Sequence, residues 1–343
     1  MKKLGNVLYI TSPEAFLGLE DEAITISKPE SPTRKLPLLN LQAIVCFNYM
    51  GVSPSLMGAC VDRGIGLTFL RPSGRFLARV EGQVRGNVLL RKKQYAVSES
   101  QDESLSVARN FAIGKVYNQR KSLQRTMRDH ALLIDTEQFT VVVQVLKSCL
   151  DALRNAGDVN EVMAIEGNAA RRYFALFDQM IFQNKTAFKF EERNRRPPVD
   201  RVNALLSFLY AMLANECASA LETVGLDPYV GFFHADRPGR FSLALDLMEE
   251  LRPVLCDRLT LNLINRRQIA PQGFLIKESG GVLMDDETRK IVLTAWQEKK
   301  KEEIEHPFLK EKVPYGLLPH VQALLLARYL RGDLNSYPPF LWE

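Results

Sequence analysis

The sequence predicts an α+β protein, with a small β-rich N-terminal domain and a larger, mostly α-helical C-terminal domain. Three observations carry this. Short apolar runs separated by turn residues fill the chain to about residue 85. A polar run, Ser98 to Ser104, comes next. From Leu105 onward the apolar residues recur at helical spacing. The expected domains are 1–85, a linker at 86–104, and 105–343. A chain of 343 residues has room for both domains, and 46% hydrophobic with 25% charged residues is an ordinary globular composition.

In the N-terminal domain, Val7 to Ile10 reads as a short strand. Ala15 to Ser27 alternates apolar and polar residues around Glu20-Asp21-Glu22, as a hairpin does. Leu36 to Phe47 is a further apolar run. Ser53-Pro54 caps a short helix that Gly64 ends. Gly66 to Leu70 and Arg75 to Val80 read as strands joined by a turn at Arg71-Pro72-Ser73-Gly74. The linker opens with Gly86 and Arg91-Lys92-Lys93.

The helical part begins with Leu105 to about Asp129, whose Lys115, Arg120, Lys121, Arg125 and Arg128 make either a solvated face or a phosphate-tracking stripe. Thr136 to Ala156 and Asp158 to about Gln183 are two further helices. Lys185 to Arg201 is a basic connection in which Pro197-Pro198 bars a regular helix, and Phe188 and Phe190 stand among its cations. It reads equally as a DNA-contacting loop or a solvated linker. A very apolar helix runs from Asp200 to Val224. Its most apolar stretch, Ala204 to Ala214, is too short to span a bilayer. Phe274 to Met284 is a hairpin turning at Gly280-Gly281, and Asp285 to Lys301 and Leu318 to Leu330 are the last helices. The tail from Asn335 is either a docking segment or a terminus packed on its own domain.

The bulk numbers narrow the function classes. A net charge of +5 is compatible with nucleic acid without demanding it. Five cysteines with no CxxC spacing read as reduced thiols, which excludes a disulfide framework or a zinc knuckle. The first residues lack a signal-peptide core, so a cytoplasmic location is expected and no membrane partner.

The chemistry concentrates in Gly231 to Pro253, GFFHADRPGRFSLALDLMEELRP. A loop carrying His234 leads to Ser242, expected as the N-cap of a helix with Asp246, Glu249 and Glu250. Asp246 shares a helix face with each glutamate. Three acids together need a positive group among them. A metal ion with His234 would supply it; so would Arg237, Arg240 and Arg252. Pro253 is expected to kink the helix at Glu249. Upstream, Glu166 lies close to the apolar stripe of Val162, Ala169, Tyr173 and Phe177, which is costly for a carboxylate without a salt bridge or a metal.

The ordered run of His, Arg-Pro-Gly-Arg, Ser-Leu-Ala-Leu-Asp-Leu-Met-Glu and Glu-Leu-Arg-Pro resembles the signature of the CRISPR-associated integrase family, CRISPR-associated protein one, in its type I, subtype C versions. Ala164-Ile165-Glu166-Gly167 with Ala169-Ala170-Arg171-Arg172-Tyr173-Phe174 resembles that family's segment holding its first metal-binding Glu, and Asn203 and Tyr210 match further polar positions. The resemblance implies a metal-dependent DNA endonuclease and integrase that inserts new spacers into a CRISPR array by 3′-hydroxyl attack. Its implied metal ligands are Glu166, His234 and Glu249, a donor set suited to Mn²⁺ or Mg²⁺. Asp246 has a supporting role, orienting a ligand or a bound water, and Glu250 is expected towards solvent or Arg252. The family often has Asp where Glu249 stands. Arg171, Arg172, Arg237, Arg240, Arg266 and Arg267 are the DNA-binding candidates. The implied partners are double-stranded DNA, a second copy of the chain, and the small CRISPR-associated protein two. A DNA-binding scaffold with an inactive metal site is the alternative, and a nuclease acting on RNA a third reading.

Overall fold

A computed structural model describes residues 4–47, 50–82, 88–195 and 197–343. The architecture is α+β, β-rich at the N-terminus and helical thereafter. Strand β1 (Asn6–Ile10) is followed by an antiparallel sheet of β2 (Phe16–Glu20), β3 (Ala23–Lys28) and β4 (Ser31–Pro37). Next come β5 (Leu41–Cys46), helix α1 (Pro54–Arg63), β6 (Gly66–Leu70) and β7 (Phe76–Val80). A second sheet runs in the order β1-β5-β6-β7, parallel except for its β6–β7 edge. Leu17, Ile24, Ile44, Leu56 and Leu67 are buried between these layers. Ser53 caps α1 by accepting from the Leu56 N–H at 3.3 Å, as its sequence predicts. β4 was not predicted. Its residues, SPTRKLP, are exposed throughout and owe their strand to pairing with β3, so no apolar alternation marks them.

The expected linker is a helix. Val88–Glu99 forms α2, and α3 (Gln101–His130) starts one residue after Ser100. The polar run is a helix junction: Ser100 is the N-cap and accepts from the Glu103 N–H, with Asp102 and Glu103 in the first turn. Gln94 of α2 is buried and donates to the Asp227 and Val230 carbonyls at 2.8 and 2.9 Å, tying α2 to the loop before the predicted site. Gly86 lies outside the described residues.

α3, α4 (Thr136–Asn155) and α5 (Val159–Ala175) pack together, and α6 (Arg201–Thr223) runs through the main core. α6 is long and apolar enough to cross a membrane, but most of its apolar window is buried in the core. Phe188 and Phe190 are buried as well, so they anchor their irregular connection instead of presenting rings to DNA. Phe47, next to β5, stacks on Phe208 of α6 with ring centroids 5.9 Å apart, joining the β1-β5-β6-β7 sheet to the helices. Beyond α6 come α7 (Ser242–Glu249), a π-helical turn (Arg252–Asp257) and α8 (Arg258–Asn265). Pro253 sits in that turn, where the predicted break occurs. A hairpin of β8 (Phe274–Ile276) and β9 (Val282–Met284), then α9 (Asp286–Lys301), match the sequence reading. The short strands β10 (Glu303–Glu305) and β11 (Lys312–Pro314) were not foreseen, and α10 (Leu318–Leu330) was. The tail packs on its own chain, with Tyr337, Phe340 and Trp342 buried.

Candidate metal centre

Asp246 organises the loop that presents His234. It lies on α7, fully buried, and its Oδ2 accepts the Phe232 and Phe233 N–H groups at 2.7 and 3.0 Å. Its Oδ1 accepts the His234 N–H at 2.8 Å and meets His234 Nδ1 at 2.7 Å. A carboxylate surrounded by N–H donors has no proton to give, so Nδ1 carries the hydrogen of this contact and Nε2 is the ring nitrogen left to face the cavity side. Gly231 is required for this closeness. A Cβ there would lie 2.9 Å from Asp246 Oδ2 and 3.0 Å from the His234 carbonyl. Ser242 is not the N-cap; it is the first residue of α7, and its hydroxyl donates to the Ala235 carbonyl at 3.1 Å, closing the same loop.

The free Nε2 faces Glu249, 3.7 Å from Oε1. Glu249 is 2% exposed and sits between two cations. Arg252 reaches its Oε1 at 2.8 Å, and Lys115 of α3 reaches its Oε2 at 2.7 Å. The same Lys115 ammonium pairs with Glu166 Oε1 on α5. Burial alone would raise the Glu249 pKa; Arg252, Lys115 and His234 more than offset it and hold the carboxyl at about 2. Burial also opposes the Lys115 charge, yet Glu166 and Glu249 raise its pKa above the ordinary lysine value. Lys115 is therefore no part of a solvated or DNA-tracking stripe. It lies on the inward face of α3, and this contact was missed in the sequence.

The donor types, two carboxylates and an imidazole, are those that Mn²⁺ or Mg²⁺ takes. Glu166 Oε1 and Glu249 Oε2 are buried and make no hydrogen bond of proper geometry, although the ammonium is in ion-pair range of both. A positive charge thus already stands between the two carboxylates, and the His234 imidazole faces one of them. Among the described residues, no three acidic, His or Cys side chains converge into a ready cation cage. Lys115 keeps the two glutamates apart from a shared ion.

These groups line a cavity of about 1580 Å³ whose walls carry Arg71, Arg75, Arg171, Arg193, Arg195 and Lys277. Arg193 and Arg252 both lie against the Tyr210 ring, at 5.1 and 4.9 Å from its centroid. The Tyr210 hydroxyl pairs with Asp257 Oδ1 at 2.7 Å, and burial raises the Asp257 carboxyl to about 6. Asn203 Oδ1 accepts from Arg193 at 2.6 Å and from the Asn194 N–H at 3.1 Å, which fixes the basic loop at the cavity rim. Of the six predicted DNA-binding arginines, Arg171 lines this cavity and the other five do not. Arg172 is exposed beside it, Arg237 is exposed on the His234 loop, and Arg240 is partly buried at that loop's end. Arg266 and Arg267 are exposed at the end of α8, where Arg267 donates to Gln183 Oε1 at 2.6 Å.

Glu250 departs from expectation. It reaches neither solvent nor Arg252. It is fully buried on the opposite side of α7, where Gln322 Nε2, the Tyr337 hydroxyl and the Phe340 N–H donate to it. Burial raises its carboxyl to about 7. Gly114 of α3 permits the approach, because a Cβ there would lie 2.7 Å from Glu250 Cβ.

The sequence profile of the family described as CRISPR associated protein Cas1 matches residues 8–298. Over the full length of both chains, the protein is 48% identical to CRISPR-associated endonuclease Cas1 1 of Chlorobaculum tepidum and to CRISPR-associated endonuclease Cas1 2 of Rhodospirillum rubrum. Its fold is similar to a casposase bound to integration product, with a TM-score of 0.85 at 18% identity, covering 98% of this chain and 94% of that one. A Cas1 protein from Thermotoga maritima gives 0.82 at 24% identity, with 98% and 100% covered. A Cas6-RT-Cas1–Cas2 complex gives 0.82 at 21% identity, with all of this chain and 36% of that chain covered. The full-length identities and the profile match together place the chain in the Cas1 family.

Proposed function

We propose that the chain is a metal-dependent DNA endonuclease and integrase that inserts new spacers into a CRISPR array, acting in the cytoplasm as a homodimer with Cas2. The finer assignment, to a type I, subtype C system, rests on the sequence motif around His234. One observation carries the chemistry: His234, held by Asp246, faces Glu249, which Lys115 joins to Glu166, in a cation-walled cavity. The relatives described as endonucleases, and the fold shared with a casposase on its integration product and with a Cas1–Cas2 assembly, support the substrate and partner.

Glu166, His234 through Nε2, and Glu249 would hold Mn²⁺ or Mg²⁺. Such an ion, when bound, would supply Lewis acidity for the scissile phosphate and the leaving oxygen. The chain's own residues do the rest. Asp246 holds the His234 proton at Nδ1 and fixes the ring. Arg171 and Arg193 face the cavity where phosphates would lie, and the Tyr210 ring packs against both Arg193 and Arg252. The nucleophile is a DNA 3′-hydroxyl in integration and water in hydrolysis, so no serine or cysteine is needed.

His234→Ala tests the reading. The variant is expected to stay folded and to lose Mn²⁺-dependent DNA cleavage and integration by roughly 10³-fold, the equivalent of several kcal/mol of lost charge stabilisation. Near-normal cleavage with unchanged melting would make the centre an ion-pair network. Preference for RNA in a competition assay would reassign the substrate.

A further inference from the structure

We propose that Lys115 is the resident cation of the metal-free centre, holding Glu166 and Glu249 together until a divalent ion displaces its ammonium into the cavity. This rests on the assignment of Glu166, His234 and Glu249 to the ion.

The geometry is specific. Lys115 is 8% exposed, and its ammonium touches a carboxylate oxygen from each of two helices. Apart from this ammonium, neither Glu166 Oε1 nor Glu249 Oε2 has a hydrogen-bond partner among the described residues, so both carboxylate oxygens depend on one charge. A charge held in that way is exchangeable for another of the same sign. Without Lys115, the buried Glu249 and the half-buried Glu166 would face each other with Arg252 on one side alone. Their repulsion would pull α3, α5 and α7 apart at the cavity floor. With a divalent ion in the same place, ammonium and metal would repel, and the side chain has an exit, because Lys115 lines the cavity.

Charge counting gives the consequence. Lys115 and Arg252 against Glu166 and Glu249 make a neutral set. Loading a divalent ion without losing Lys115 from the cavity raises the local charge by two. The loaded centre then attracts phosphate more strongly than the empty one. Metal and DNA binding must therefore reinforce each other by the same factor in both directions.

The test uses the full-length protein. Acetylation by an N-hydroxysuccinimide ester, read by peptide mass spectrometry, reports the access of Lys115 in EDTA and in saturating Mn²⁺. The expected result is protection in EDTA and a rise of at least fivefold in labelling with Mn²⁺. In parallel, calorimetry measures Mn²⁺ binding to the wild type, to Lys115→Met and to His234→Ala. Lys115→Met is expected to melt at lower temperature in EDTA and to bind Mn²⁺ at least tenfold more tightly, since no cation has to leave. Should the variant fail to fold, the labelling of the wild type still decides. If the wild type binds Mn²⁺ through His234 while Lys115 labels equally in both states, the displacement is wrong and the centre stands. If the wild type binds no Mn²⁺, or His234→Ala binds it equally, the ligand assignment fails and the displacement with it.

Discussion

Glu249 and Glu250 are consecutive, both buried, and compensated in opposite ways. On the cavity side, Glu249 is met by whole charges, Lys115 and Arg252, with His234 beyond. On the tail side, Glu250 is met by neutral donors: an amide, a phenol and a backbone N–H. The pKa directions follow, down to about 2 for Glu249 and up to about 7 for Glu250. The tail network also continues outward without a gap. Gln322 Oε1 accepts from His306 Nε2 at 2.9 Å, and Asn118 links the Glu250 and Phe340 carbonyls and the Trp342 N–H. A carboxylate enclosed by a completed neutral network holds structure together. One held by side-chain cations at the wall of an open cavity is placed to exchange partners.

The largest effect should come from swapping each glutamate for its amide. Glu249→Gln is expected to lose metal-dependent cleavage by roughly 10²–10³-fold. It leaves Lys115 and Arg252 facing one charge fewer, so its metal-free form should also lose on the order of 3 kcal/mol of stability. Glu250→Gln should keep cleavage within a few-fold of the wild type. A Mn²⁺ titration of cleavage, with circular dichroism at the assay temperature, separates the two effects. A dead Glu250→Gln beside an active Glu249→Gln would move the ligand by one residue and undo the comparison.

The next effect is a pH dependence on the tail side. The Glu250 carboxyl rises from an ordinary value near 4.5 to about 7 on folding. Folding therefore carries no ionisation penalty below about 4.5, and the penalty grows as pH rises from there to 7 and is constant above. Stability is lost with rising pH in that window, by up to about 3 kcal/mol. His306 in the same network has its pKa lowered by burial, so it acts in the opposite direction. The difference in stability between wild type and Glu250→Gln, followed from pH 4.5 to 7.5 in EDTA, isolates the glutamate. A difference that stays flat over this window would show that the tail network accommodates the charge.

The two sides were unequally legible. His234, Asp246 and Glu249 lie within sixteen consecutive residues, so their order could be matched to a family. Glu166 came from a second short motif. Lys115 was read as one cation of a basic helix. Helical spacing sets it apart from part of that run: Phe111, Lys115, Asn118 and Ser122 share one face of α3 and all are buried, whereas Arg128 lies off that face and is exposed. No such signal existed for Glu250. Its partners lie 72 to 90 residues further along the chain, and the adjacent sequence carries no trace of them. The fold divides similarly. Capped helices and glycine turns were legible because their causes are local. β4 depends on pairing with β3, and α2 hid behind a polar run that turned out to contain the N-cap of α3.

The smallest effect concerns the arginines, and it extends the same contrast to the surface. Arg171 lines the cavity beside Lys115 and Glu166, whereas Arg267 is engaged with Gln183 away from it. Each phosphate neutralised by a cation releases about one counterion, so the logarithm of affinity falls with the logarithm of salt in proportion to the contacts made. Arg171→Ala should reduce that slope by about one and weaken binding evenly across DNA sequences. Arg267→Ala should leave the slope unchanged, because a side chain committed to Gln183 outside the cavity has no phosphate to give up. Fluorescence anisotropy with one duplex, repeated from 50 to 300 mM salt at roughly even steps, measures both. Equal slopes for wild type and Arg171→Ala would mean that the DNA does not run through the cavity that holds Glu166, His234 and Glu249. A reduced slope for Arg267→Ala as well would extend the DNA path to the far end of α8, well beyond the cavity.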